Sequence, residues 1–299
     1  MQAFRAMNTD VQVIAPADEA AIAAEVAATF ADAERRFSRF RADSELSGLN
    51  RSEGPFLASR ELFEMLERAR GYVALTDGLF DPAIGAALRA LGYDRSFAPG
   101  ALDRARSRTP PRRGHFRDVV LERDTRTVWR PPHVLIDLGG MAKGATVDLA
   151  ARHLRRSGAI DAGGDAVLRG SGPTGEAWLV DVEDPTDPSR TSATIAISDA
   201  AVATTAANRR TWRVGHEIAH HLIDPQTLRA ARSDLLQVTV VAAEAELADV
   251  LAKATFLLGS REARPFLERT PGVMGAVLVR ADGAVTCVGE LDLREVSHG

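Results

Sequence analysis

The stretch that decides the fold of this chain is Leu135-Ile136-Asp137-Leu138-Gly139-Gly140-Met141-Ala142-Lys143-Gly144-Ala145-Thr146-Val147-Asp148. The apolar run 134–136 predicts a buried strand, and the glycine pair 139–140 predicts a turn at which the backbone can approach a ligand closely. Apolar residues then recur at the spacing of a helix that Gly158 would stop. The stretch therefore predicts a strand, a glycine turn and a helix in succession.

Lys143 lies in the first turn of this predicted helix. A cation there interacts unfavourably with the helix dipole, and an anion bound at the helix N-terminus would reverse the sign of that interaction. Two interpretations stay open at this point. The stretch is either a corner that contacts phosphate, or a tight turn that carries a solvated lysine.

Composition narrows the class of protein. The 299 residues are 45% hydrophobic and 26% charged, which is ordinary for a globular protein. A net charge of −4 argues against bulk nucleic-acid binding, and the single Cys287 excludes an intramolecular disulfide and a cysteine-based zinc site. No apolar run reaches about 18 residues, so no transmembrane segment is expected. We expect a cytoplasmic protein as the chain is given, and a periplasmic or membrane-anchored one if a leader was removed.

Strand and helix patterns are mixed along the chain without strict alternation. Residues 9–15 and 235–242 read as strands, while 245–259 has the apolar spacing of a helix. This mixture predicts the α+β class. We expect residues 1–299 to form a single domain.

The segment His216-Glu217-Ile218-Ala219-His220 matches the H-E-x-x-H zinc pattern. That pattern binds zinc only on a helix, which brings both imidazoles to one face. Gly215 before the segment, Pro225 after it and the extended look of 221–224 favour a strand or loop near a pocket. A zinc hydrolase is the minor alternative, with Glu244 or Glu246 as its third ligand.

Asp249 and Lys253 lie four residues apart on the predicted helix 245–259, and therefore on one face. A solvated pair at this spacing contributes only about 0.3–0.5 kcal/mol. Alanine and phenylalanine neighbours make the face less polar than a solvent-facing one. A solvated ion pair and a semi-buried acidic position are both open interpretations.

Eight segments occur in a fixed order over most of the chain. They are Met7-Asn8-Thr9; Phe37-Ser38-Arg39-Phe40-Arg41 with Ser44-Glu45-Leu46 and Asn50; Asp77-Gly78-Leu79-Phe80-Asp81-Pro82; Ile136 to Gly144 with Asp148; Gly163-Gly164-Asp165; Ala203-Thr204-Thr205; His221-Leu222-Ile223-Asp224-Pro225-Gln226-Thr227; and Ala248-Asp249-Val250-Leu251-Ala252. Taken together, they resemble the FAD:protein FMN transferases, the ApbE-like flavin transferases.

The resemblance implies an α+β fold with mixed sheets and flanking helices around an FAD cleft. It implies a transferase that splits the pyrophosphate of FAD and passes FMN to a threonine hydroxyl of an acceptor protein as a phosphoester. The acceptors are typically flavoprotein subunits of membrane redox complexes. Neither a nucleic-acid partner nor a transmembrane segment is implied.

The resemblance also assigns roles to residues. The FAD site would be lined by Met7, Phe40, Leu79, Phe80, Asp81, Asp137, Lys143 and Ile223. Asp249 or Asp137 would be the metal-binding or base carboxylate, and Lys143 would clamp the phosphates. Mg²⁺ would neutralise the phosphates and the leaving group. Its ligands would be the Gly140 carbonyl, Asp249 and the residue at position 253.

Position 253 departs from the family pattern, which has a threonine where this chain has Lys253. A hydroxyl coordinates Mg²⁺, whereas an ammonium group about 4 Å away repels it by roughly 1–4 kcal/mol. Lys253 either replaces the metal as a fixed cation, or leaves a catalytically impaired FAD-binding protein of the same family. Three lesser departures remain. Asn8 occupies a position at which the family has glycine, and Leu228 occupies a position at which a glycine often follows the Asp-Pro-x-Thr segment. Phe40 replaces a tyrosine that is common in the flavin-stacking loop, and its ring can still stack.

Overall fold

The computed structural model describes residues 1–16, 18, 21–96, 111–214 and 217–294. In that part of the chain the α-helices are α1 (Ile22–Phe37), α2 (Glu45–Arg51), α3 (Arg60–Leu75), α4 (Gly85–Ala90), α5 (Ala142–Ala151), α6 (Ala245–Leu258) and α7 (Ser260–Glu268). The strands are β1 (Gln2–Ala6), β2 (Thr9–Ile14), β3 (Phe56–Leu57), β4 (Val120–Glu122), β5 (Thr127–Trp129), β6 (Gly158–Ala162), β7 (Asp165–Arg169), β8 (Trp178–Glu183), β9 (Thr191–Ile197), β10 (Ala200–Ala206), β11 (Thr211–Val214), β12 (Glu217–His220), β13 (Ile223–Asp224), β14 (Arg229–Ala230), β15 (Leu235–Ala242), β16 (Val273–Arg280), β17 (Val285–Gly289) and β18 (Asp292–Arg294).

The chain divides into two compact units. The sheet unit comprises Met1–Ala31, Lys143–Ala206 and Ser233–Gly299. The insert unit comprises Asp32–Ala142 and Ala207–Arg232. Helices and antiparallel sheets occur together in this way in the α+β class, so the class predicted from the sequence is confirmed. Among the described residues, no helix has the length and apolar character needed to cross a membrane.

The sheet unit is built on one antiparallel sheet of eight strands, in the order β1-β2-β6-β7-β10-β15-β16-β17. A second sheet has the order β18-β9-β8. Successive side chains of a strand point to opposite faces of the sheet, so each buried strand contributes side chains to two cores. One core joins the large sheet to α1 and α5 and contains Val11, Val26, Phe30, Val147 and Ile160. The other joins it to the second sheet and contains Leu168, Trp178, Ile195, Val202 and Val277.

The insert unit contains the three-stranded sheet β3-β5-β4 and the hairpins β11-β12 and β13-β14. Its helix α3 begins at Ser59, whose hydroxyl accepts a hydrogen bond from the backbone N–H of Leu62 at 3.2 Å. A serine at this position satisfies a backbone donor that has no partner within the helix. A buried cluster packs α4 against the two hairpins and includes Leu88, Tyr93, Trp212 and Ile223.

The predicted strand 134–136 is wrong, although Val134 and Ile136 are fully buried. Its backbone groups bond to a side chain and to a turn instead of to a neighbouring strand. The Asn50 side-chain amide donates to the Ile136 carbonyl and accepts from the Ile136 N–H, both at 2.8 Å. The Leu135 carbonyl accepts from the N–H of Gly85 at 3.0 Å. An asparagine 86 residues away in sequence therefore replaces a strand partner.

The predicted helix after the glycine turn is present as α5, but it ends at Ala151 instead of continuing to Gly158. Gly158 is the first residue of β6, so it does not cap the helix. A Cβ atom at this glycine would lie 2.8 Å from both the carbonyl oxygen of Ile14 and the side chain of Leu154. Close packing, and not the end of a helix, therefore requires glycine at this position.

Candidate functional site

Lys143 lies at the start of α5, and its ammonium group points to the turn between β6 and β7. Its Nζ donates to the Ala162 carbonyl at 2.9 Å and forms an ion pair with Asp165 Oδ2. The side chain of Asp165 is 1% exposed and that of Lys143 is 15% exposed. Asp165 therefore supplies the negative charge that balances the lysine in the first turn of α5.

Asp249 and Lys253 form a second ion pair on α6. The Lys253 ammonium contacts Asp249 Oδ1 and lies 3.3 Å from the Asp249 carbonyl oxygen. Their side chains are 2% and 18% exposed, respectively, so the semi-buried interpretation is confirmed and the solvated ion pair is wrong. Asp249 Oδ2 is buried and accepts no hydrogen bond from the described part of the chain.

These two pairs form one electrostatic group, which we call the lysine–aspartate cluster (Lys143, Asp165, Asp249 and Lys253). Burial, followed by the charge of Asp249, raises the pKa of Asp165 from 3.8 to about 7, and the two lysines oppose this shift. Two buried carboxylates that repel each other are tolerated here because each has an ammonium group beside it.

Two residues of α5 fix the cluster by joining this helix to the start of α6. The Asp148 carboxylate accepts hydrogen bonds from the backbone N–H groups of Ala245 and Glu246, each at 2.8 Å. Gly144 permits the close approach, since a Cβ atom there would lie 2.5 Å from the Ala245 carbonyl oxygen. These contacts set the position of Lys143 relative to the two charged residues of α6.

In the insert unit, Asp137 forms a buried ion pair with Arg39 through Oδ2. Its other oxygen accepts the N–H of Gly139 at 2.7 Å, which shapes the turn that Gly140 completes. The Arg39 guanidinium lies 4.1 Å from the ring centroid of Phe40. Asp137 is therefore engaged through both oxygens, with its turn and with an arginine.

Leu79, Phe80 and Asp81 lie between α3 and α4. The Asp81 carboxylate accepts from the backbone N–H of Ala83 at 2.8 Å and of Phe116 at 3.1 Å. Burial raises the pKa of Asp81, and these hydrogen bonds oppose that shift. Asp81 also lines a cavity of about 720 Å³ within the insert unit, together with Asp77, Gly78, His115 and Gln226 among other residues.

The insert unit brings several predicted FAD residues together. The Asp137 N–H donates to the Pro82 carbonyl at 2.8 Å, which joins the glycine turn to the segment carrying Asp81. Phe40 packs against the buried cluster that contains Ile223. Met7, Lys143 and Asp249 belong to the sheet unit.

The lesser departures from the family pattern occur at turns. Met7 and Asn8 connect β1 to β2 with left-handed backbone angles, φ 48° and 59°. Asparagine adopts this conformation more readily than most residues, so Asn8 suits a position at which the family has glycine. Leu228 adopts φ 57° in the turn between β13 and β14, and its N–H donates to the Asp224 carbonyl at 2.8 Å. The turn therefore retains its hydrogen bond, although a leucine in the left-handed region strains the backbone.

The zinc interpretation of the H-E-x-x-H segment fails on its backbone. Glu217–His220 is strand β12, paired antiparallel with β11, and His216 lies outside the described residues. His220 Nε2 lies 3.0 Å from the Ala231 carbonyl oxygen, and burial lowers the pKa of this histidine. No group of three His, Cys, Asp or Glu side chains in the described ranges could hold a metal ion.

Mg²⁺ does not fit the arrangement at Asp249. The Lys253 ammonium already contacts one carboxylate oxygen, and an ammonium group has no lone pair to offer a metal. Oδ2 is the one oxygen of this carboxylate that accepts no hydrogen bond from the described residues. The predicted ligand set therefore lacks the group that position 253 would have to supply.

Two charged residues of these sites were not singled out by the sequence reasoning, although both lie in quoted segments. Asp165 ends the Gly163-Gly164-Asp165 segment, and Arg39 lies in the 37–41 segment. Their partners, Lys143 and Asp137, are 22 and 98 residues away along the chain, and no local pattern reports such pairings. The sequence signal that could have identified Asp165 is an aspartate directly after a double glycine.

Solved structures assign the fold to a class. The ApbE protein of Thermotoga maritima matches with a TM-score of 0.84 and 25% identity, covering 96% of each chain. The flavin transferase ApbE from Vibrio cholerae matches with a TM-score of 0.78 and 23% identity, covering 96% of this chain and 95% of its own. The fold is that of the flavin transferases.

Sequence comparison assigns the family. The ApbE family model matches residues 7–278. An FAD:protein FMN transferase of Treponema pallidum is 32% identical over 289 residues, which cover 88% of this chain and 80% of the relative. The Salmonella typhimurium protein of the same name is 26% identical and covers 83% and 74%, respectively. The chain belongs to the ApbE family, and the resemblance read from its sequence is confirmed.

Proposed function

We propose that this protein is an FAD:protein FMN transferase. The threonine oxygen of an acceptor flavoprotein attacks the phosphorus on the FMN side of the FAD pyrophosphate, a new P–O bond forms, and the bond to AMP breaks. The observation that carries the proposal is the lysine–aspartate cluster. It holds two ammonium groups in a semi-buried position in a member of a family whose curated relatives carry this name.

The cluster suits phosphoryl transfer because this chemistry depends mainly on positioning and on neutralising phosphate charge. Lys143 and Lys253 are the cations that would contact the phosphates, and the buried aspartates hold them in place. Of the two candidate base carboxylates, Asp249 is the better one, since its Oδ2 accepts no hydrogen bond in the described part of the chain. Asp137 is engaged through both oxygens. The acceptor proton would pass to Asp249.

The remaining residues of the FAD site stay as predicted from the resemblance. Phe40 supplies an aromatic ring for the flavin, and Met7, Leu79, Phe80 and Ile223 supply apolar surface. Asp81 and Asp137 support the backbone of the site through the hydrogen bonds described above. We propose that residues 1–299 act as one transferase domain, since the family model spans both compact units.

The partner is an acceptor flavoprotein subunit that carries a threonine. The net charge of −4 argues against bulk nucleic-acid binding.

The test of transfer is incubation of the protein with FAD and the acceptor protein of a related transferase. We expect the acceptor to gain the mass of one FMN phosphoester and AMP to appear in equal amount. An acceptor with alanine in place of its threonine is the matched control. An unchanged acceptor mass and intact FAD would overturn the proposal.

A second candidate function is a catalytically impaired protein that binds FAD without transferring FMN. The observation that favours it is the Lys253 ammonium on Asp249, where the family pattern has a threonine. The same experiment separates the two functions. Bound FAD without AMP release or a mass gain supports the second candidate, and FMN transfer rejects it.

A further inference from the structure

Lysine is almost absent from this protein. Of 37 Lys and Arg residues, two are lysines, Lys143 and Lys253, and the other 35 (37 − 2) are arginines. Both lysines belong to the lysine–aspartate cluster, and arginine supplies every other permanently cationic side chain. Arginine and lysine differ in shape, since an ammonium group is a compact point charge and a guanidinium is a planar fork. Each lysine is therefore found where a compact cation pairs with a buried aspartate.

The ammonium groups are placed to receive an anion. In each pair the exposed area belongs to the lysine and the aspartate is enclosed. An ammonium group has three donors. Lys143 donates one of them to the Ala162 carbonyl and forms an ion pair with Asp165, and Lys253 directs two to the side chain and carbonyl of Asp249. Within the described residues, these contacts leave at least one donor on each lysine for a ligand.

Lys253 also occupies the position at which a divalent cation would neutralise Asp249. Its Nζ contacts Oδ1 directly, so a metal at that oxygen would meet a positive charge within contact distance. The ammonium satisfies the same carboxylate and presents positive charge to the same ligand. Lys253 would therefore neutralise Asp249 and the ligand as the metal would, but as a part of the chain.

We propose that Lys143 and Lys253 form a metal-independent binding site for the pyrophosphate of a dinucleotide, with Lys253 in the place of a divalent cation. This inference rests on the proposed function, because FAD is the dinucleotide considered. It adds that the protein binds FAD equally well with and without Mg²⁺.

The first test measures FAD affinity by flavin fluorescence in EDTA and in Mg²⁺. We expect the wild-type Kd to change less than about twofold between the two conditions. Lys253→Thr should raise the Kd at least about tenfold in EDTA and recover affinity in Mg²⁺, while Lys253→Met should lose affinity in both. Arg60→Thr removes an exposed pair of the same i,i+4 spacing on α3 and is the control with no expected change.

Each result of this test has one meaning. Wild-type binding that appears only with Mg²⁺ overturns the inference and leaves the proposed transferase standing. No FAD binding in either condition overturns the proposed function as well. A Lys253→Met variant that binds FAD like the wild type removes Lys253 from the site.

A second test does not depend on activity, and its main measurement uses the wild-type protein. Wild-type protein grown with ¹³C-lysine has two labelled side chains, and therefore two Hε–Cε signals in an NMR spectrum. We expect FAD and inorganic pyrophosphate to shift both signals. Mn²⁺ should broaden neither signal in the wild type, and should broaden the remaining Lys143 signal in Lys253→Thr. Broadening of the wild-type signals by Mn²⁺ would show that a metal binds at the cluster and would overturn the inference.

Discussion

The two buried ionic sites of this protein are built differently. In the insert unit, the Arg39 and Asp137 side chains are 7% and 8% exposed, and the guanidinium lies 4.1 Å from the Phe40 ring centroid and 4.7 Å from that of Tyr93. In the sheet unit, the Lys143 and Lys253 side chains are 15% and 18% exposed, and their aspartate partners are 1% and 2% exposed. The arginine pair is therefore closed to solvent, while the lysine pairs are open to it through the lysine side chains, where we propose that a ligand binds. Ion pairs that bury their carboxylates to a similar degree can thus differ in whether the cation is buried as well.

Removal of the closed pair should have the largest effect on stability. Arg39→Met leaves the Asp137 carboxylate buried without its partner, and we expect the free energy of unfolding to fall by about 3–5 kcal/mol. Urea denaturation measures the change. The control is Arg41→Met on the same loop, whose pair with Asp43 is exposed and should matter little. Equal losses in both variants would contradict the distinction between a closed and an exposed pair.

Protonation of Asp165 in the open site should make the free energy of unfolding depend on pH. The pKa of Asp165 is raised from 3.8 to about 7, so the native state retains a proton that the unfolded chain has released. Stability attributable to this group therefore falls as the pH rises from about 4 to about 7. Asp165→Asn should flatten that slope in urea midpoints measured across the window. Asp10→Asn, at an exposed position of the same unit, should keep the wild-type slope, and a wild-type slope in Asp165→Asn would show that this carboxyl does not titrate there.

A smaller effect should follow from separating the two helices that hold the open site. Gly144→Ala places a Cβ atom 2.5 Å from the Ala245 carbonyl oxygen, which forces α5 and α6 apart. We expect a loss of about 1–3 kcal/mol in unfolding free energy. The matched control is Gly71→Ala within α3, where no atom lies within 4 Å. That variant should gain about 0.5–1 kcal/mol, because alanine loses less backbone entropy than glycine in a helix. Similar thermal shifts in both variants would show that the helices do not need this close approach.

The elements with a local sequence signal were predicted well. The strands β2 and β15 and the helix α6 all lie where the residue pattern placed them, within one residue at the ends. Capping side chains and apolar spacing act over a few residues, and a single sequence contains that information in full.

The missed features depend on contacts between distant parts of the chain. The strand prediction at 134–136 failed because Asn50 provides the hydrogen bonds, and nothing near Ile136 in sequence indicates that asparagine. The burial of Asp249 was undecidable from its spacing, since an i,i+4 pair looks the same on a solvated face and on a buried one. The family resemblance predicts site residues that local patterns do not indicate, and it also drew attention to Lys253.

The scarcity of lysine has a consequence for covalent chemistry. Apart from the α-amino group, this protein has no primary amine outside the lysine–aspartate cluster. Acylating reagents usually modify amines all over the surface of a protein. Here they would find two side-chain amines, both in the place where we expect the dinucleotide. Acetylation of the protein would therefore act as a titration of its binding site, and prior occupancy by a nucleotide would protect both amines together.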